Sequence, residues 1–235
     1  STTTQIKSND LTTPFVKSEE EQDTWEATLL FDEDADYEWS VEYKDFSGAS
    51  AGKFKDSFTV DNIDPVIEVM HKNNDAKNGK YFKANRPITI TITEHNFRAE
   101  NVVVNVTADR EVGKIPEYKA YLSNPENWVS SGNEHTAEIT FETEAYYTFD
   151  ISCVDMADRA NKSVYYGRSV APTKFVIDKT APTKADITIN KESILAKKGV
   201  AFEKFYKSSV KVKYSVNCDI SGLDNITYQK VDSVN

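Results

Sequence analysis

The sequence predicts an all-β chain made of tandem β-sandwich domains, and two observations carry that prediction. Apolar and polar residues alternate along most of the chain, and one stretch of it is said twice. Residues 25–45, WEATLLFDEDADYEWSVEYKD, align without a gap on residues 135–155, HTAEITFETEAYYTFDISCVD, 110 positions further on. Phe31 falls on Phe141, Tyr37 on Tyr147, Trp39 on Phe149 and Asp45 on Asp155. After a length change Phe58 meets Phe175, Asp61 meets Asp178 and Pro65 meets Pro182, now 117 apart. A period of this size is a whole domain, not a short solenoid turn.

The strands follow from period-two patterning. Pro87 to Thr93 alternates strictly, with Ile88, Ile90 and Ile92 on one face and Thr89, Thr91 and Thr93 on the other. Val102, Val104 and Val106 predict a second strand, and Ala137, Ile139 and Phe141 a third. Tyr147, Phe149, Ile151 and Cys153 predict a fourth, and Phe175 with Ile177 a fifth. One apolar face per strand is the pattern of antiparallel sheets packed face to face. Turn-rich segments such as AKNG, SSGNE and MADRAN separate them. SNPENW is expected to form one short turn, and no amphipathic helix longer than two turns is predicted.

The recurring DNIDP and DKTAP segments mark the domain boundaries. Residues 1–64 read as the C-terminal part of one domain, 65–181 as a complete domain and 182–235 as the N-terminal part of another. Each junction is short and contains proline, which restricts φ and predicts a semi-rigid rod. The incomplete pieces are expected to expose apolar faces.

A net charge of −10 argues against nucleic acid as a partner, because phosphate binding needs clustered Lys and Arg. No run of about 18 apolar residues is present, so no membrane insertion is expected in these residues. Cys153 and Cys218 sit in strand phase and read as buried small hydrophobes, not as a disulfide framework. His71, His95 and His135 are far apart and read as surface histidines, so no zinc site is expected. Asp32-Glu-Asp34-Ala-Asp36 has alternate oxygens but lacks the glycine and glutamate of a calcium loop; a solvated turn is the better reading. No catalytic motif, cofactor motif or metal site is nominated, and no enzyme activity is expected. Asn105, Asn161 and Asn225 begin N-x-S/T triplets.

Tyr81-Phe82, Arg86, the ITITIT strand and Glu94-x-Asn96-Phe97 form a longer pattern. It continues through HTAEITF, Tyr147-x-Phe149 and Asp155-x-Ala157-x-x-Ala160-Asn161 to FVIDKTAP. This pattern resembles the bacterial immunoglobulin-like repeat domains of large cell-surface proteins of Gram-positive, clostridial-type bacteria. The resemblance covers 65–181 and parts of both flanks. It implies tandem immunoglobulin-like sandwiches in an extracellular, surface-attached protein that acts as adhesin, spacer or host binder. Asp158-Arg159 departs from the glycine-bearing turn of that pattern, which predicts a looser turn.

The function expected first is a non-catalytic stalk or spacer of a bacterial surface adhesin. The alternative is a binding module for a glycan or a host protein, immunoglobulin included. Its support is the expansion before the last strand, where Tyr165, Tyr166 and Arg168 stand close together in an acidic chain. Tyr and Arg are favoured at binding hot spots. Tyr118, Tyr121 and Trp128 form a second, weaker candidate, with Trp128 read as a core cap.

Overall fold

The computed structural model describes residues 16–167, 174–189, 195–196 and 204–229. The chain divides into two compact units, Ser1–Ile63 and Asp64–Asn235. Its regular structure is almost entirely strand.

In the first unit β1 (Val16–Lys17) pairs with β2 (Trp25–Glu26), and β3 (Ala35–Lys44) with β4 (Ser50–Val60), both antiparallel. No side chain of β3 or β4 is buried, and Phe54 and Phe58 are exposed on the apolar side of the hairpin.

The second unit contains a two-layer sandwich. Its strands are β5 (Val66–His71), β6 (Tyr81–Phe82), β7 (Arg86–Thr93), β8 (Val102–Val112), β9 (Val129–Ser131), β10 (Glu134–Phe141), β11 (Glu144–Cys153), β12 (Val164–Tyr165) and β13 (Lys174–Ile177). One sheet has the order β12-β5-β7-β10-β9 and the other β6-β13-β11-β8. All pairings are antiparallel except β12 on β5 and β6 on β13. The five predicted strands are β7, β8, β10, β11 and β13.

One core lies between the layers. Ile88, Ile90 and Ile92 of β7 are fully buried and face Phe149, Ile151 and Phe175 from the other sheet within the same cluster. A short helix, α1 (Tyr118–Leu122), closes one side with Leu122 and Trp128. The sequence had placed only a turn here, at 123–128; that turn is present as a 3-10 segment, Pro125–Asn127, capped by Asn124 Oδ1. Five residues are too few for amphipathic periodicity to reveal a helix.

The inward face of β7 begins with a charge. Arg86 is fully buried, its guanidinium 4.3 Å from the Phe82 ring centre and 4.6 Å from that of Phe175. Arg86 Nε also donates to the Asn73 carbonyl at 3.3 Å. Burial lowers the guanidinium pKa to about 10, so it stays charged at neutral pH. Stacking on ring faces and a backbone acceptor offset part of the desolvation cost.

The sequence repeat is reproduced in three dimensions. In the first unit Ala35 pairs Val60 and Tyr37 pairs Phe58; in the second Ala145 pairs Ile177 and Tyr147 pairs Phe175. The rings repeat as well. Phe31 lies 4.9 Å from Tyr37 and 5.1 Å from Phe58, while Phe141 lies 5.0 Å from both Tyr147 and Phe175. Tyr37 Oη donates to the Glu33 carbonyl at 3.0 Å, and Tyr147 Oη to the Thr143 carbonyl at 2.8 Å, four residues upstream in each case.

Beyond Pro182 come β14 (Thr183–Ile189), β15 (Leu195–Ala196), β16 (Lys204–Phe205) and β17 (Val212–Asn217). β14 pairs with β17, and β15 with β16, in two small antiparallel sheets. Ile189, Val212 and Tyr214 are exposed. This piece is tied to the sandwich. Tyr146 Oη donates to the Ile220 carbonyl at 2.7 Å, Ser221 N to Asp178 Oδ2 at 2.9 Å, and Asn78 Nδ2 to Asp224 Oδ1 at 3.3 Å.

Candidate functional site

The tyrosines nominated by the sequence lie at the edge of the five-stranded sheet. Two-residue β12 adds in parallel to β5, with Val164 opposite Ile67 and Tyr165 opposite Glu68. Strand alternation then divides the pair. Tyr165 is 60% exposed, whereas Tyr166 turns inward and packs against the core. Burial raises the Tyr166 phenol pKa, with a smaller push from Asp150. Arg168 lies outside the described residues. The adjacent aromatics are thus one surface ring and one packing ring, not a double contact.

Tyr165 borders a shallow hollow of about 240 Å³ with Asp64, Pro65, Val66, Lys162 and Ser163. Asp64 anchors it, receiving Arg159 Nη2 at 2.8 Å and Lys162 Nζ at 2.5 Å. The Lys162 hydrogen bond, aided by the charge of Arg159, holds the Asp64 carboxyl below the usual carboxylate range. What the hollow presents to solvent is one phenol ring beside a paired acid and base. In the second candidate, Trp128 is buried and donates Nε1 to the Leu122 carbonyl at 2.8 Å. Tyr118 is buried too, donating to the Thr140 carbonyl at 2.9 Å, and Tyr121 remains exposed.

Two of the three histidines are not at the surface. His71 continues the inward phase of Ile67 and Val69 and is buried edge-on to Phe175, with ring centres 6.1 Å apart. His135 is buried and stacked on Phe97 at 4.2 Å, between Ser130 Oγ at 2.8 Å and the Glu94 carbonyl at 2.9 Å. Only His95 is exposed. The surface reading fails because both buried rings occupy inward positions of their strands.

Cys153 is buried as expected, but Cys218 is only half-buried. Burial pushes the Cys153 thiol pKa up to about 12, and the negative charges of Glu94 and Asp155 add to the shift. The 32–36 run is a turn only in part: it bends at Glu33 and Asp34, and Ala35 and Asp36 already belong to β3. Asp36 Oδ1 accepts from the Thr59 hydroxyl at 2.7 Å, and Asp34 Oδ1 accepts from Asn62 N.

Glu94 and Asp155, which the sequence offers only as members of the longer pattern, form a further group. Asp155 opens the turn after β11, and its Oδ1 accepts from Ala157 N at 2.8 Å and Arg159 N at 2.9 Å. Asp45 builds the same turn in the first unit, taking Ser47 N at 2.8 Å and Ala49 N at 3.0 Å. Gly48 has φ +86° there, and Asp158 adopts φ +61° at the matching position. The turn without glycine is therefore closed by the same bonds and is not looser, since Asp tolerates the left-handed region. The two turns differ in their surroundings. Asp45 is exposed, while Asp155 is 1% exposed and its carboxylate comes within 4.8 Å of that of Glu94, itself 3% exposed. Strand phase was the available signal: Glu94 follows Ile88, Ile90 and Ile92 on the inward face, and Asp155 follows Ile151 and Cys153.

Among the described residues, no helix is long and apolar enough to cross a membrane. Comparison of the chain with protein-family models, curated proteins and solved structures gives no match in any of the three.

Proposed function

We propose that the chain is part of a tandem array of immunoglobulin-like sandwiches that acts as a non-catalytic stalk of a bacterial surface adhesin, outside the cell. The strand order supports the fold assignment. Sheets β5-β7-β10-β9 and β13-β11-β8 correspond to the two layers of that fold, and a tyrosine bonded to the backbone four residues upstream sits at its usual corner. The recurrence of that phenol bond in both units supports a tandem repeat.

The observation that carries the stalk reading is the set of hydrogen bonds across Pro182. Tyr146, Asp178 and Asn78 of the sandwich hold the loop 220–224 of the following piece. A linker of a few residues with three cross-bonds resists bending, which suits a spacer. A binding module for a glycan or a host protein is the second reading, favoured by the exposed Tyr165 ring beside Lys162.

Immobilising the full chain and passing host serum proteins and glycans over it separates the readings. The stalk predicts no saturable binding. A saturable signal that disappears in Tyr165→Ala would move the assignment to the binding module.

A further inference from the structure

We propose that Glu94 and Asp155 form a calcium-binding site at one end of the sandwich. The two residues extend the inward faces of β7 and β11, strands of opposite sheets, just past their last residues. Their carboxylate oxygens converge to within 4.8 Å. Two carboxylates so close, in residues 3% and 1% exposed, repel each other where water screens them little.

The second observation is an orphaned atom. Asp155 Oδ1 is satisfied by the turn, but Oδ2 is buried with no hydrogen-bond donor. Among the described residues, no Lys, Arg or His pairs with Asp155; Arg159, in the same turn, directs its guanidinium to Asp64. A buried, half-satisfied carboxylate facing a second carboxylate is costly as it stands, and a bound cation supplies the missing partner. The donor set is all oxygen and anionic, which selects a hard ion. Calcium suits it better than magnesium, because it accepts irregular geometry and mono- or bidentate carboxylates, with backbone oxygens or water completing the shell. The matching turn at Asp45 is an internal contrast: the same backbone bonds, exposed.

Titration of the full chain with calcium chloride tests this, by calorimetry and by thermal melting against an EGTA control. One saturable calcium per chain is expected, with the melting transition raised by several degrees and no comparable rise in magnesium chloride. Glu94→Gln and Asp155→Asn should each weaken binding at least about tenfold, the loss of one anionic ligand to a divalent ion. Asp45→Asn should leave it unchanged. Asn keeps an oxygen for the turn at 155. If Asp155→Asn nevertheless fails to fold, Glu94→Gln decides, because in EGTA it should melt at or above the parent temperature with one of two crowded charges removed. The proposal is overturned by no heat and no shift at millimolar calcium, by an equal response to magnesium, or by binding that survives Glu94→Gln.

Discussion

The phenol of Tyr146 donates a 2.7 Å hydrogen bond to the carbonyl of Ile220, 74 residues later and on the far side of the Pro182 junction. Ile220 is buried, at 4% exposure, in a piece whose other apolar residues are mostly exposed. Tyr146→Phe should weaken this attachment by about 1 kcal/mol, the net value of one such bond. Faster amide exchange at residues 219–224, with exchange in β7 and β11 unchanged, is the expected readout.

Arg86→Lys should lower the stability of the sandwich by about 1–3 kcal/mol, although the charge is kept. The ammonium is more strongly hydrated than a guanidinium and cannot lie flat on Phe82 and Phe175. Urea unfolding followed by near-ultraviolet circular dichroism measures the loss.

Alkaline pH should unfold the sandwich in a defined window. Burial raises the Tyr147 phenol pKa from 10.0 to about 12 and raises that of Tyr118 as well. Between those values the unfolded state releases protons that the folded state keeps. The stability these groups contribute is therefore complete below pH 10 and lost as the pH rises toward 12. Tyr147→Phe should flatten that decline, measured by urea melts at successive pH values.

The two cysteines should label very differently. The Cys153 thiol is fully buried, with its pKa pushed up to about 12, whereas Cys218 is half-buried. A disulfide reagent at mildly alkaline pH should modify one thiol per folded chain, and a second only after denaturant is added.

Asp158→Gly should stabilise the turn after β11 by about 0.5–1 kcal/mol, because it relieves a non-glycine residue at φ +61°. Asp158→Ala should destabilise it. Paired chemical denaturation curves give both signs.

Much of the fold was legible because period-two patterning is a local signal. Ile88, Ile90 and Ile92 declare one buried face within a single strand. The repeat also gave the pairing of β3 with β4 its counterpart in β11 with β13. The candidate sites were less legible for two reasons. His71 and His135 were read as surface residues although their strand phase placed them inside, and Arg86, Glu94 and Asp155 entered only as members of the longer pattern, with no account of their burial. The convergence of Glu94 and Asp155 is a contact 61 residues apart in sequence, made by opposite sheets, and no local pattern encodes it. Tyr165 and Tyr166 show the same lesson in reverse: neighbours in sequence, one faces solvent at the end of β12 and the other packs on the core just past it.

The matching aromatic triads carry a hazard for folding. Phe31, Tyr37 and Phe58 have ring spacings within 0.3 Å of those of Phe141, Tyr147 and Phe175, and the same strand register. The match predicts that a nascent β4 can pair with β11 as well as with β3, so refolding yield of the full chain should fall through strand exchange. The residues that differ across the repeat, Trp39 against Phe149 and Asp36 against Tyr146 among them, then discriminate neighbours during synthesis. Making the repeats more alike should trap the chain in exchanged forms even where each domain alone gains stability.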